Sequence, residues 1–514
     1  MLASIASEAL SGLEGKPVQV EADVVAAAPA FYIVGLPDAA VQESRERVRA
    51  AIVNSAYAFP SRRITVNLAP ADLRKEGPSF DLPIALAFLV ATGQAADGCD
   101  GRGPLAAVGE LGLDGTLRPV AGALALAESL RRRGMRGLIL PAANAAEAAL
   151  VDGLEVYPAR TLAEAVTQLA AGGGAAAPPA DLTALLGSAP AEGADFADIM
   201  GQEQVKRALE IAVAGAHNVL MSGPPGAGKT MLARRLPGIM PALTLDEAIE
   251  VTRIYSVAGL LPQDRALITQ RPFRAPHHTI SSPGLVGGGG TPRPGEVSLA
   301  HLGVLFLDEF AEFRLAALEG LRQPLEDGEV TISRSAGKIT LPCAFMLVAA
   351  MNPCPCGYLG DPKHECRCSP TQIQRYRSRI SGPLLDRIDL LLTLQRAGSH
   401  PRPELTQMSS EQARQRVLLA RERQLARLRP LGLAVNARMD VRALREHVRL
   451  DECGEEMMRR VRERGLLSAR GEHRVMCVAR TIADLGASER VRARDLGAAL
   501  ALRAQAGLGD SRAA

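Results

Sequence analysis

The sequence predicts an α/β protein in three parts: an N-terminal α/β unit, a central unit whose parallel sheet carries a phosphate-binding loop, and a C-terminal helical unit. Three observations lead there. The segment Gly223-Pro-Pro-Gly-Ala-Gly228-Lys229-Thr230 follows a short apolar run and precedes a helical pattern. Strand-like and helical patterns alternate ahead of it, and past about residue 403 only helical spacing remains. At 514 residues the chain is too long for one core, and a prior of roughly 100 to 200 residues per domain gives about three.

In residues 1–170, β-rich runs at Val18 to Val25, Ile64 to Leu68 and Leu138 to Leu140 alternate with helical patterns at Asp38 to Ala51, Leu82 to Ala91 and Gly122 to Arg133, as in a two-layer domain. Residues 171–195 read as a flexible linker, because Ala171 to Ala180 holds only Gly, Ala and Pro without a period. Residues 196–395 restart with a helix from Gln202 to Ala214 and a strand from Asn218 to Met221 that enters the glycine-rich loop. Apolar runs at Gly303 to Leu307 and Ala344 to Ala350 end in Asp308-Glu309 and Met351-Asn352. Polar residues at the C-terminal ends of apolar strands are how an open parallel sheet builds its site. Residues 396–514 place Leu, Val and Ala at helical spacing among arginines, and no internal repeat is present.

Composition narrows the function. Apolar residues at 47% and charged residues at 22% are globular values. Only 3% are aromatic and none is Trp, which argues against base-stacking platforms and directs any nucleic-acid contact to the backbone. A net charge of +3 implies no nucleic acid by itself. Arginine runs such as Arg421 to Arg429 and Arg459 to Arg464 make the C-terminal part basic, either as solvated helix faces or as an electrostatic footprint. Without a signal-like N-terminus or an apolar run of about 20 residues, a cytoplasmic location is expected, with no membrane partner. Eight cysteines in this length are no disulfide framework, and Cys99, Cys343, Cys453 and Cys477 read as packing residues.

The loop Gly223, Pro224, Pro225, Gly226, Ala227, Gly228, Lys229 and Thr230 matches GxxxxGK[ST] without deviation. Its glycines let backbone amides face a β-phosphate, the helix N-terminus adds positive charge, Lys229 spans β- and γ-phosphates, and Thr230 ligates magnesium. ATP and Mg²⁺ are the expected cofactors. Asp308 would hold the magnesium and Glu309 polarise the attacking water, with Asn352 orienting that water beside the γ-phosphate. The transferring phosphoryl group also needs a cation. Arg387 is the candidate finger from a neighbouring subunit, and a second arginine from the C-terminal helices would close the site, Arg474 first and Arg480 as the alternative.

Cys354-Pro-Cys356 and Cys366-Arg-Cys368 are two CxC pairs. Their four thiolates could hold a tetrahedral zinc ion, or form a loop of uncoordinated thiols with His364 nearby.

With these residues in place, the chain resembles the magnesium-chelatase-like AAA+ family of bacteria, in its YifB/ComM group. The resemblance spans nearly the full length. It is carried by Gly35-Leu-Pro-Asp38, Lys75-Glu-Gly-Pro-Ser79-Phe-Asp81, Gly201-Gln202, the phosphate loop, Pro272-Phe-Arg-Ala-Pro-His-His278, Leu307-Asp-Glu-Phe310, Ala350-Met-Asn-Pro-Cys-Pro-Cys356-Gly357 and Arg379-Ile-Ser-Gly-Pro-Leu-Leu-Asp-Arg-Ile-Asp389. It implies a hexameric ATPase related to chelatase motors and replicative helicases, with a branch-migration role on DNA during natural transformation. It also implies a pore-facing β-hairpin at Glu329 to Pro342, where alternating β-branched runs flank a Ser-Ala-Gly turn and Arg334 and Lys338 could grip DNA phosphates. A solvent-exposed hairpin with solubilising charges is the other reading. Arg271 to Ser298 resembles the family's helix-interrupting insert, its His277-His278 pair being read as loop polar residues rather than metal ligands. The N-terminal unit resembles the Lon-protease fold, with Ser79 where that protease carries its nucleophile. Leu124 stands where the protease has its lysine, so peptidase activity is not expected, and the unit reads as an assembly module or a docking site for recombination proteins. A chelatase-type protein-remodelling or metal-insertion ATPase is the alternative function, although the integrin-like metal-binding module with which chelatase motors work is absent from the sequence.

Overall fold

Five parallel strands carry the candidate site. In the computed structural model they run in the order Phe273–Arg274, Val304–Leu307, Met346–Met351, Val219–Ser222 and Leu390–Thr393. The structure describes residues 1–98, 103–187, 195–262, 264–289, 293–334, 337–361, 363–395 and 408–504. Cys99 and the hairpin tip Ser335-Ala336 lie outside them, as does the side chain of Arg334. Every residue of Val219–Ser222, Val304–Leu307 and Met346–Met351 is buried. Burial on both faces is why these strands read as unbroken apolar runs rather than alternating ones.

Register decides which residues meet at the sheet's C-terminal edge. Ser222 lies opposite Met351 on one side and Thr393 on the other, and Leu307 lies opposite Ala349. Gly223, Asp308 and Asn352 therefore leave the sheet at one edge. The amide of Gly223 donates to the Met351 carbonyl at 3.2 Å and that of Leu394 to the Ser222 carbonyl at 2.8 Å, so the loop starts from a fixed point.

Helices Glu203–Gly215, Lys229–Ile239, Ser410–Leu428 and Ala469–Leu485 share one core with the sheet. Phe310, Leu318, Leu325 and the hairpin residues Val330, Ile332 and Leu341 fill a second. The C-terminal part is helical as expected, with Val441–His447, Glu452–Glu463 and Ala493–Ala504 completing it. Its arginine run works inward more than outward. Arg421 donates to the Val213 carbonyl, Arg423 to the Asp484 carbonyl, and Arg427 to the Asp484 carboxylate and Asn436. These bonds staple Ser410–Leu428 to its neighbours, so the run Arg421 to Arg429 is mostly structural.

The N-terminal unit is a seven-stranded mixed sheet in the order Ala30–Val34, Arg63–Ala69, Glu14–Val25, Leu2–Ser11, Leu105–Ala107, Gly137–Pro141 and Glu155–Ala159. Helices Ala39–Asn54, Asp81–Ala91, Ala123–Arg132 and Leu162–Ala170 accompany it. Leu124 is buried in its aliphatic core. The unit is tied to the central one. The Gly122 amide donates to the Ser256 carbonyl at 3.0 Å, Arg253 pairs with Glu128 at 2.8 Å, and buried Glu147 accepts from Ser256 and the Leu124 amide. The segment expected to be a flexible linker has structure over residues 171–187. Its Ala177 and Ala180 amides bond to the carbonyls of Val156 and Ala149, and Leu182–Gly187 is a helix whose leucines pack on the N-terminal core. Three leucines just past the Gly/Ala/Pro run supply the apolar anchor. Among the described residues no helix is long and apolar enough to cross a membrane.

Candidate active site

The phosphate loop has the backbone its glycines require. Gly226 and Gly228 adopt φ of 78° and 87°, in the left-handed region, with open space where a Cβ would stand. At Gly223 the reason is proximity: a Cβ there would lie 2.7 Å from the Leu394 carbonyl oxygen. Helix Lys229–Ile239 begins at Gly228, which points its free amides into the loop. The Lys229 ammonium donates to the carbonyls of Gly223 at 2.5 Å and Pro224 at 3.1 Å, and to Asn352 Oδ1 at 3.1 Å. Burial pushes its pKa down against the opposing pull of Asp308. A half-buried cation whose partners are mostly neutral oxygens is a ready anion site, and the open glycine cradle fits a polyphosphate.

Thr230 Oγ1 donates to Asp308 Oδ2 at 2.8 Å. The loop hydroxyl and the strand-end carboxylate thus converge as a magnesium site requires, two hard oxygen ligands of the type that binds the ion together with substrate phosphates. The Glu309 amide donates to the other Asp308 oxygen at 2.9 Å. Glu309 has φ of 52°, an uncommon conformation for a side-chain-bearing residue. Beside these residues opens a cavity of about 320 Å³ lined by Thr230, Arg234, His277, His278, Asp308 and Glu309.

His278 has a place beside Glu309 that the sequence did not signal. Its Nδ1 lies 2.9 Å from Glu309 Oε2, so it belongs to the site, whereas His277 bonds to Thr279 Oγ1 at 2.9 Å. The segment Arg271 to Ser298 is also more than an insert, because Phe273–Arg274 is the edge strand of the central sheet. That strand brings the His pair alongside Glu309. Side-chain exposure of Glu309 is 56%, and without the imidazole the carboxylate would sample several rotamers. We expect His278→Ala to lower kcat roughly 10- to 100-fold through misplacement of Glu309, with nucleotide affinity unchanged, measured by steady-state phosphate release beside equilibrium binding. Arg234 was likewise not singled out from sequence. A basic residue on the turn after the GKT motif was the available signal.

The arginines stand elsewhere. Arg387 is only 7% exposed. It donates to Glu326 and, at 2.7 Å, to the Pro383 carbonyl. It precedes Leu390–Thr393 and so sits at the N-terminal edge of the sheet, a strand length from its own phosphate loop. Arg474, expected to help close a nucleotide site, does not lie beside the phosphate loop of its own chain. It lies 3.4 Å from buried Asp389 and donates to the Ala437 carbonyl, at the same far edge as Arg387. The cause is the placement of helix Ala469–Leu485 against Glu203–Gly215, which aims Arg474 at the start of the last strand. Arg480, the alternative, is buried and bonded to Asp484 and the Ser488 and Glu489 carbonyls, a structural role. The hairpin pairs Glu329–Arg334 with Gly337–Pro342, leaving Lys338 exposed opposite Ser333.

Three magnesium-chelatase family models match in chain order: subunit ChlI of Mg-chelatase over residues 20–144, magnesium chelatase subunit ChlI over 195–401, and the ChlI C-terminal region over 407–503. An uncharacterized Mycobacterium tuberculosis protein is 45% identical over 97% of both chains. Escherichia coli YifB and the competence protein ComM of Haemophilus influenzae are each 42% identical, over 98% of this chain and 97% of their own. The chain belongs to the magnesium-chelatase-like YifB/ComM family of AAA+ ATPases. A shorter likeness, 34% identity over 149 residues, joins it to Lon protease 2 of Bacillus subtilis.

In this YifB/ComM-family chain the cysteine loop abuts the nucleotide site. The Sγ atoms of Cys354, Cys356, Cys366 and Cys368 all lie within 4.8 Å of one another. The Tyr358 and Arg367 amides lower the Cys356 thiol to about 6, whereas burial and the neighbouring sulfurs push the Cys366 and Cys368 thiols up. Cys343 and Cys477 are buried as packing residues, whereas Cys453 is exposed.

Proposed function

We propose that the chain forms a homo-hexamer in which ATP hydrolysis drives translocation along DNA, moving a branch point as incoming strands recombine during natural transformation. One observation carries the reading. The phosphate-binding and water-activating residues occupy one edge of the central sheet, while Arg387 and Arg474 cluster with Glu326 and Asp389 at the other. A site divided in this way is completed by the arginines of a neighbouring copy, and a ring supplies one to every site.

Within such a site Lys229 and the loop amides bind the β- and γ-phosphates. Magnesium held by Thr230 and Asp308 would neutralise charge on the phosphate oxygens. Asn352, already bonded to Lys229, orients the attacking water, and Glu309 takes its proton. Arg387 meets the charge that develops on the phosphoryl group. The four thiols at Cys354, Cys356, Cys366 and Cys368 suit a structural zinc ion.

The DNA reading draws support from the Haemophilus influenzae relative, which bears the name competence protein, and from exposed Lys338 on a hairpin that a ring could turn to its pore. Arg334 would add a second cation on the same hairpin. The N-terminal unit would receive recombination proteins. We expect Lys338→Ala to keep basal ATPase while weakening its stimulation by DNA. Unaltered stimulation would remove the pore grip.

The deciding experiment is branch migration of a four-way junction with and without ATP. Vigorous ATP hydrolysis with a stationary junction would favour the second reading, a chelatase-type remodelling or metal-insertion ATPase, which the three ChlI family matches favour.

A further inference from the structure

Among its described residues the loop from Asn352 to Ser369 has almost no regular structure of its own, yet it lies against Pro225 of the phosphate loop and begins at Asn352, the partner of Lys229. Cys354 follows Asn352 by two positions. Gly357, at φ of 84°, lies so near the phosphate loop that a Cβ would stand 2.8 Å from Pro225 Cδ and 3.8 Å from Asn352 Cγ. Past Cys368, Ser369 caps helix Pro370–Arg377, and that helix returns Tyr376 to accept a hydrogen bond from the Asn352 amide. Ordering such a stretch costs about 1–2 kcal/mol of backbone entropy per residue. Between Gly357 and Arg367 the loop is held locally: Asp361 accepts from the Lys363 and His364 amides at 2.8 and 3.1 Å, and the Tyr358 and His364 rings lie 4.9 Å apart. The cysteine pairs flank this turn on both sides, where a tie between its two ends would sit.

The thiols supply the candidate. Cys354 Sγ stands 3.4 Å from Cys356 Sγ and 3.6 Å from Cys366 Sγ, and Cys356 Sγ stands 3.6 Å from Cys366 Sγ. A zinc ion with bonds of about 2.3 Å to four sulfurs has tetrahedral edges of about 3.8 Å. A disulfide would need about 2.05 Å, and all four cysteines are free. The Cys356 amide also donates to Cys368 Sγ at 3.4 Å, the type of bond that steadies a metal-bound thiolate. Four soft sulfur donors in this arrangement select zinc over magnesium or calcium.

We propose that Cys354, Cys356, Cys366 and Cys368 form a zinc site that clamps the phosphate loop, pressing Gly357 on Pro225 and holding Asn352 beside Lys229, so that metal loading sets nucleotide affinity. The clamp rests on the ATP-binding reading of that loop. Binding of the metal repays the ordering of residues 353–368. Loss of the metal frees Gly357 from Pro225 and lets Asn352 drift from Lys229. The five-stranded sheet contains none of the four cysteines and remains folded.

The test uses the full-length protein. Elemental analysis should find one zinc per chain, and cobalt(II) substitution should give the absorption of a tetrahedral thiolate centre. After dialysis against a chelator and return to magnesium buffer, a fluorescent ATP analogue should bind about tenfold more weakly, a change of about 1.4 kcal/mol. Re-added zinc should restore it, and circular dichroism should be unchanged throughout. Cys366→Ser and Cys368→Ser should lose both zinc and affinity, whereas Cys453→Ser, outside the cluster, should keep both. Parent protein without zinc, or zinc-free protein that binds the analogue as tightly as loaded protein, overturns the clamp. Loaded protein that holds zinc but binds no nucleotide, matching Lys229→Ala, overturns the ATP reading and the clamp with it, with the zinc count still standing.

Discussion

Glu309→Gln is expected to lower ATP turnover by about 10²- to 10⁴-fold, the range for loss of a general base, and to leave nucleotide retention intact. The substitution keeps the shape of the side chain and a hydrogen-bond acceptor for His278, so it removes the base with little else. Nothing in the phosphate cradle depends on it. Lys229 is held by the Gly223 and Pro224 carbonyls and Asn352, and Thr230 by Asp308. Phosphate release under single-turnover conditions, beside equilibrium binding of a fluorescent nucleotide, separates the two effects. Parental turnover in the Gln variant would sink the assignment. The contact with His278 adds a sharper check. If the imidazole acts only by orienting Glu309, then His278→Ala in the Glu309→Gln background should cost nothing further, because residues that act as a unit are not additive.

Residues that signal through a local pattern were legible in the sequence. The phosphate loop, the strand-ending Asp308-Glu309 and Asn352 needed only an unbroken apolar run followed by a polar turn, and burial of Val304–Leu307 and Met346–Met351 at every position gave that run. The hairpin was legible because Val330, Ile332 and Leu341 are buried while Glu329 and Thr340 beside them are exposed. Other features depend on what folding brings together. Phe273–Arg274 joins the sheet through two residues, too few to show any period, so the His pair that follows it carried no sign of its proximity to Glu309. Leu2–Ser11 sits at the centre of the N-terminal sheet, yet it is rich in Ala and Ser, which have little strand preference. The place of Arg474 was not legible for a different reason. Helical spacing shows that it lies on a helix, but which end of the sheet that helix faces is decided by packing over more than 200 residues of separation.

The division of cations between the two sheet edges leads to the largest expected effect. Arg387→Ala should reduce turnover by about 10³- to 10⁵-fold, as removal of a trans-acting arginine finger does, while nucleotide still binds. The residue's own surroundings make this a clean substitution. Glu326 keeps a partner in Arg470 at 2.5 Å and is 45% exposed, so no buried charge is stranded. Arg387 must leave Glu326 to reach a phosphate, and Glu326 retains its pair with Arg470 when it does. Mixing distinguishes a neighbour's arginine from a chain's own. Arg387→Ala subunits retain an intact phosphate loop, and Lys229→Ala subunits retain an intact Arg387. In a mixed ring the interface that joins the good loop of one to the good arginine of the other is complete, so two inactive proteins should regain ATP hydrolysis on mixing. Absence of any recovery, with mixed assembly verified by mass, would mean that Arg387 serves its own chain, and the ring would lose its mechanical link between neighbouring sites.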